Sequence, residues 1–273
     1  MVEETLPNLS IEEEFHHLEV KNLAKSFGGV KAVQDVSFYV KRGEIVGLIG
    51  PNGAGKTTLF NMITGLEKPD AGHVYFSRNF ITNTPAHKIV KLGMARTFQN
   101  IRLLEELTVI DNIKIAYHHH FNYNFVHAMF RLPKFFKKEK VIRQKSMRFL
   151  EYLQLESHAD DLAGSLPYGK RRLLEIARAL ATEGTMLLLD EPAAGMNPHE
   201  TNELLDIIRK INKEFRLSIL LIEHDMKLVM SICDRIVVVE HGKMIAQGTP
   251  DQIRENPKVI EAYLGTGHED KNL

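Results

Sequence analysis

Eight consecutive residues, Gly50-Pro51-Asn52-Gly53-Ala54-Gly55-Lys56-Thr57, spell the string G-x-x-x-x-G-K-T. Its chemistry is phosphate binding. Glycines let successive backbone N–H groups curl around a phosphate chain without Cβ clashes, and a helix starting there adds partial positive charge. Lys56 is placed to reach the β- and γ-phosphates of a nucleotide, and the Thr57 hydroxyl to hold Mg²⁺. Thr58 carries the string into the helix. A second group lies far along the chain, where Asp190-Glu191 closes an apolar run. Asp190 suits a water-mediated Mg²⁺ contact. Glu191 suits a general base, or a group that positions the water attacking the γ-phosphate. His224, after the run Ile219–Ile222 and Glu223, can hydrogen-bond the γ-phosphate or that water. Gln99, after Ala95-Arg96-Thr97-Phe98, can ligate Mg²⁺ and sense the γ-phosphate. Phe27, in a turn before Gly28-Gly29, offers a ring face for stacking on adenine. Taken singly, these last three read as a surface histidine, a loop glutamine and a core aromatic; the set gives them chemical meaning.

The elements that must position these residues are legible from periodicity. Glu44–Ile49 is an apolar strand feeding the glycine string, and Thr58–Ile63 has a helical pattern leaving it. His17–Lys21 and Ala32–Val40 alternate as strands. Turns fall at Lys41-Arg42-Gly43 and at Pro69–Gly72, the latter leading to a strand at His73–Phe76. Residues 108–160 read mostly helical with a break at Pro133, and 168–182 as a strong helix. Met186–Leu189 reads as a buried parallel strand. A helix at about 200–213, a strand at Ser218–Ile222, a helix at Met226–Ile232 and a strand at Arg235–Val239 follow, with a hairpin at Glu240–Lys243. Strands alternating with helices imply an α/β fold with a mostly parallel sheet. Asp190 then falls at the carboxyl end of a strand, where such sheets bind ligands.

Composition sets outer bounds. The chain has 273 residues, 44% hydrophobic, enough for a sizeable core. Its 35 Lys and Arg balance 35 Asp and Glu, so no global field draws it to nucleic acid or membrane. Its single cysteine, Cys233, excludes an internal disulfide and suits a reducing compartment. The acidic beginning of the chain lacks the pattern of a secretion signal. No apolar stretch approaches the roughly 20 residues that cross a bilayer. Contact with a membrane would therefore go through a partner.

The order of phosphate loop, glutamine loop, helix-leading glycine motif, aspartate–glutamate strand and histidine loop resembles the ATP-binding cassette (ABC) ATPases over about residues 17–265. Within that family, Glu191-Pro192-Ala193-Ala194-Gly195-Met196-Asn197-Pro198, Ile222-Glu223-His224-Asp225-Met226 and the tail Gly248-Thr249-Pro250 to Gly265 look like the ATP subunits of branched-chain amino-acid importers. The resemblance implies a P-loop NTPase with a RecA-like core, an antiparallel β subdomain and an inserted α-helical lobe. The division would be a polar leader (1–16), the core with its β subdomain (17–99 and 183–265), the helical lobe (100–182) and a short tail (266–273). It implies ATP and Mg²⁺ as cofactors, and a head-to-tail homo- or heterodimer with a second ATP-binding subunit. It also implies transmembrane permease subunits, a periplasmic or extracellular solute-binding protein acting indirectly, and a peripheral position on the cytoplasmic face of the cell membrane. Nucleic acid is not among the implied partners. The family's signature, Leu-Ser-Gly-Gly-Gln or Leu-Ser-Tyr-Gly-Gln, carries over onto Leu166-Pro167-Tyr168-Gly169-Lys170 with two departures. Pro167 offers neither hydroxyl nor N–H, though it suits the first turn of the helix that follows. The remaining donors are the Tyr168 and Gly169 amides and the Lys170 ammonium. The family's dimer-contacting loop falls on Ala194–Asn197, with Asn197 where aspartate is frequent.

Other features are less specific. Residues 131–148 hold eight basic residues against one acidic, Glu139, with aromatics interleaved. That pattern fits lipid headgroups or a membrane partner, a nucleic-acid groove would look similar, and a solvated helix face over a core stripe fits equally. His118-His119-His120 with His127 suggests a metal weakly, since adjacent histidines do not share a helix face. Two further functions compete with an importer subunit. A soluble ABC protein acting on ribosomes or DNA usually has two cassettes or a long coiled coil, and this chain has one cassette and no heptad run. A nucleotide-binding regulator of low turnover, or a subunit importing another solute, stays open.

Overall fold

A computed structural model of the chain describes residues 16–117 and 133–264. The leader 1–15, the histidines at 118–120 and 127, and the tail from 265 lie outside the described residues. So do Arg131 of the basic run and its side chains at 134, 137 and 138.

Two sheets share the core. The first is antiparallel, in the order β2-β1-β4-β5, from β1 (His16–Phe27), β2 (Val30–Lys41), β4 (Ala71–Phe76) and β5 (Asn79–Phe80). The second runs β10-β9-β3-β8-β7-β6, from β3 (Ile45–Ile49), β6 (Met94–Arg96), β7 (Met186–Asp190), β8 (Ser218–Ile222), β9 (Arg235–Glu240) and β10 (Lys243–Gly248). It is parallel except for the β9–β10 hairpin. The helices are α1 (Lys56–Ile63), α2 (Ala86–Lys91), α3 (Val109–Tyr117), α4 (Pro133–Tyr152), α5 (Tyr168–Leu180), α6 (Pro198–Phe215), α7 (Met226–Ile232), α8 (Pro250–Arg254) and α9 (Pro257–Leu264). The mixed α/β architecture is the one expected. Several boundaries differ from those expected; β1, for one, runs on to Phe27 rather than ending at Lys21. Pro133, where a break was expected, is the first described residue of α4, as its fixed φ allows at a first turn. The strand expected at His73 begins two residues earlier, at Ala71, because Ala71 pairs with Ala24 of β1.

The inner strands are buried on both faces, so their side chains sort by alternation. Ile45, Ile49, Leu187, Leu189, Ile219 and Leu221 face the cluster packed by α3, α5 and α6. Val46, Leu48, Met186, Leu188, Leu220 and Ile222 face the cluster shared with α1 and the antiparallel sheet. The two sheets are also pinned by polar contacts. His17 Nδ1 lies 2.6 Å from Ser218 Oγ and its Nε2 3.1 Å from Thr185 Oγ1. Register aligns the carboxyl ends of the site-bearing strands: Leu48 and Asp190 both pair with Ile222. The loops after β3, β6, β7 and β8 therefore open on one edge of the sheet, which is where the chemistry-bearing residues sit.

Candidate functional site

The glycine loop joins β3 to α1. A Cβ at Gly50 would lie 2.0 Å from the Val239 carbonyl oxygen, and one at Gly55, where φ is +100°, 2.3 Å from that of Ala32. A side chain at either position would push the loop off β9 or β2, so the curl depends on glycine. Pro51 and Ala54 are buried, while Asn52 and Gly53 are exposed at the tip. Lys56 folds back over the loop: its Nζ donates to the carbonyls of Gly50 at 2.6 Å and Pro51 at 3.0 Å. Burial holds its pKa below the ordinary lysine value, and the nearby Glu191 and Asp190 carboxylates pull it partly back. Thr57 is exposed and Thr58 half-buried in the first turn of α1.

Across the edge, β7 ends in buried Asp190, and the chain turns at Glu191 with φ +46°. That region is strained for a residue with a Cβ, and such strain persists only where the surroundings over-determine it. The Glu191 N–H donates to the Ile222 carbonyl at 3.0 Å, which fixes the turn against β8. The Glu191 carboxylate gathers two other candidates. Gln99 Nε2 donates to Oε2 at 2.8 Å, and His224 Nδ1 lies 3.9 Å from Oε1. The His224 side chain is 60% exposed against 22% for Glu191, so the histidine stands at the rim and the carboxylate inside. Asp190 is engaged differently. Its Oδ2 accepts from Arg96 Nη2 at 2.7 Å, and Arg96 Nη1 also donates to Asn61 and Thr64 at the end of α1. Glu223 is buried, accepts from the Ala193 N–H at 3.0 Å, and has its carboxyl pKa raised by that burial. The helix after His224 is capped by Asp225, not by the histidine, which leaves the imidazole uncommitted to that role.

The donors suit Mg²⁺ chemically. A threonine hydroxyl, an aspartate and an amide oxygen are hard oxygen ligands, and Mg²⁺ usually takes one or two carboxylates besides phosphates and water. Among the described residues no three His, Cys, Asp or Glu gather as an all-protein metal cage. Phe27 is 47% exposed at the β1–β2 turn, with Lys25 Nζ 5.3 Å from its ring centroid. The same hairpin carries Ala32 and Val33 against the glycine loop.

The segment 166–170 leads into α5. Pro167 is the N-cap rather than a first-turn residue: its carbonyl accepts from the Arg171 N–H at 3.0 Å, and it makes no side-chain cap bond. Lys170 is turned into its own chain. Its ammonium donates to His158 Nε2 at 2.5 Å, and His158 Nδ1 bonds Asp161 Oδ2 at 2.7 Å. Asn197 caps α6 in a reciprocal pair with Glu200, accepting from the His199 and Glu200 amides. Tyr168 packs beside Gly195, and Gly169 beside Glu200, so the start of α5 and the loop 194–197 form one surface. In the basic run, Arg143 pairs with Asp160 and Lys145 with Glu183, so these two cations are engaged within the chain.

Sequence reasoning missed Arg96, Arg172 and Glu175. The signal existed for the last two: charges at 172 and 175 fall on the same helical stripe as Gly169, Ile176 and Leu180, which is the inward one.

A mostly parallel sheet whose first inner strand delivers a glycine loop and lysine, facing an acidic strand end, defines a P-loop nucleotide-binding ATPase. Residues 33–194 match the profile of the family described as ABC transporter, and residues 243–269 that described as branched-chain amino acid ATP-binding cassette transporter. The chain belongs to the ABC transporter ATP-binding family. It is 48% identical over 248 residues to the high-affinity branched-chain amino acid transport ATP-binding protein BraF of Pseudomonas aeruginosa, covering 91% of this chain and 97% of that protein. It is 46% identical over the same length to LivG of Escherichia coli strain K12, with the same coverage. A solved ATP-binding cassette of an ABC transporter, in its ADP conformation, superposes with a TM-score of 0.80 at 34% identity, covering 92% of this chain and 99% of that one.

Proposed function

We propose that this chain is the ATP-hydrolysing subunit of an importer for branched-chain amino acids. Its work would be done on the cytoplasmic face of a membrane, in a head-to-tail dimer of ATP subunits docked on transmembrane permease subunits and served indirectly by a solute-binding protein. The observation that carries the ATPase reading is the convergence on Glu191, where Gln99 and His224 approach one carboxylate beside the loop that holds Lys56. The solute class is supported by the match over residues 243–269 and by the names of the relatives.

In this mechanism the backbone N–H groups of residues 50–58, Pro51 excepted, cradle the phosphates, and Phe27 stacks on adenine. The Lys56 ammonium exchanges the Gly50 and Pro51 carbonyls for phosphate oxygens. Anionic ligands favour the charged ammonium, which relieves the depression caused by burial. Thr57, Asp190 and Gln99 would hold Mg²⁺, which neutralises charge on the phosphate oxygens when bound. Glu191 accepts a proton from water as its oxygen bonds the γ-phosphorus, and the bond to the ADP oxygen breaks. His224 hydrogen-bonds the γ-phosphate or that water. The Tyr168 and Gly169 amides would face the partner subunit's ATP, and the loop 194–197 would contact the partner subunit. Closure then depends on the γ-phosphate, because ATP supplies the contacts that the two surfaces lack without it.

Glu191→Gln should leave ATP binding intact and slow hydrolysis by about 10²–10⁴-fold, while Lys56→Ala should weaken nucleotide binding itself. Single-turnover hydrolysis and fluorescent-nucleotide titration in the assembled transporter check both. Turnover of Glu191→Gln within twofold of wild type would sink the assignment.

A further inference from the structure

Arg172 and Glu175 are fully buried charges on α5 that ATP chemistry as set out above does not use. Burying a guanidinium is unfavourable unless its donors are met. Here all are. Arg has five N–H donors in a planar fork. Nε donates to the Pro192 carbonyl at 3.1 Å. Nη1 donates to the Phe98 carbonyl at 2.5 Å and to Glu175 Oε2 at 2.8 Å. Nη2 donates to the carbonyls of Asp190 at 3.2 Å and Glu191 at 2.6 Å. Glu175 completes the arrangement, since its Oε1 accepts from the Phe98 N–H at 3.2 Å. One side chain thus grips three successive carbonyls around the strained Glu191 turn, and the pair grips both backbone groups of Phe98, the residue before Gln99. It does so from the first turns of the helix that begins at Pro167-Tyr168.

We propose that Arg172, held by Glu175, is a positioning residue for the Glu191 carboxylate and the Gln99 amide. It rests on the reading of Glu191 as the water-positioning group. The clamp holds the left-handed turn that aims Glu191, and it fixes the base of the loop that brings Gln99 to 2.8 Å from that carboxylate. Because the clamp is part of α5, a shift at the start of that helix moves the carboxylate. The segment facing the partner subunit's nucleotide is thereby tied to this chain's own site. Lysine cannot stand in, because a single ammonium has no fork to bridge carbonyls on two separate loops.

A double-mutant cycle in the assembled transporter tests this. Arg172→Lys should lower single-turnover hydrolysis by about 10²-fold, the scale of a small misplacement of reacting groups. Nucleotide affinity should stay within threefold and the melting temperature should allow assay. In the Glu191→Gln background the same substitution should cost at least tenfold less, because the carboxylate it aims is gone. Equal losses in both backgrounds, with Glu191→Gln itself slow, would overturn the positioning role and leave a structural one. Wild-type hydrolysis by Glu191→Gln alone would instead remove the reading beneath it. If Arg172→Lys fails to fold, Glu175→Gln keeps an acceptor for the Phe98 N–H and serves in the same cycle. Its expected loss is about tenfold in the wild-type background alone, and no loss there overturns the proposal.

Discussion

His17 shows how a single residue links the core to solution conditions. Ser218 Oγ takes the Gly43 N–H at 2.9 Å and donates to the Lys41 carbonyl at 3.1 Å, so His17 Nδ1 carries the hydrogen toward Ser218; in the uncharged ring that burial favours, Nε2 then accepts from Thr185. That is the neutral imidazole. Burial, with Arg42 adding repulsion, lowers its pKa from 6.5 to about 4. Between those values the unfolded chain binds a proton that the folded chain does not. Stability therefore rises with pH across that window, is complete above about 6.5, and falls as pH drops toward 4. The loss is at most about 3 kcal/mol. Urea midpoints at pH 7 and pH 5 should show the decline, and His17→Gln should flatten it whatever it does to stability at pH 7. An unchanged difference between the two midpoints would assign the pH dependence to other groups.

At the scale of elements, the start of α5 carries the two departures from the family's signature, Pro167 and Lys170. Pro167 caps the helix without a side-chain bond, and the Lys170 ammonium is spent on His158. Charge recovery by Lys170, plausible from sequence, would require breaking that contact, so the amides of Tyr168 and Gly169 remain as donors toward a partner's phosphate. Pro167→Ser would restore a hydroxyl at a position that favours one as an N-cap. A bond from it to a charged phosphate is worth roughly 1.5–3 kcal/mol, or about 10–150-fold in rate if made only in the transition state. Turnover of the complete transporter should rise, with little change in ATP affinity at residues 50–58. Helix capping gains roughly 0.5–2 kcal/mol and losing proline rigidity gives back about 0.4–1 kcal/mol, so melting should shift little. An unchanged or slower rate would mean that the two amides already suffice.

For the whole molecule, the question is where motion leaves the ATP site. The segment after Gln99 is exposed yet pinned. Buried Asn112 donates to the Leu104 and Thr108 carbonyls and accepts from the Leu104 N–H. The Ala163 and Gly164 amides donate to the Leu107 and Glu105 carbonyls. Leu104 and Leu162 are left exposed along it. Such a surface suits a permease helix, and it is continuous with the loop gripped by Arg172. Cysteines placed between Ile101 and Val109 should crosslink to a membrane subunit. The background is favourable, since the sole native cysteine, Cys233, is buried and burial raises its thiol pKa. Crosslinks confined to the region of β10, α8 and α9 would overturn this docking. No helix among the described residues is long and apolar enough to cross a membrane.

The glycine loop, the apolar strands flanking it and the helices after β3, β7 and β8 were legible in the chain because each is dictated by neighbours in sequence, whereas α2, α8 and α9 were not. Glycine freedom, two- and 3.6-residue periodicity and helix caps act within a few positions. The same local rules placed Asp190, Glu191 and His224 at strand ends. They could not say that Gln99 bonds Glu191, that Arg96 occupies one oxygen of Asp190, or that His17 stays neutral between two hydroxyls. Nor could they show that Lys170 faces inward, or that Arg172 gathers carbonyls from two loops separated from it by about 20 and 74 positions. Those outcomes depend on which distant segments the parallel register brings to one edge, and on the need to satisfy every charge that register buries. Local chemistry is enough for a phosphate-binding α/β fold and its family, whereas the sharing of its polar groups is set by contacts between segments far apart in the chain.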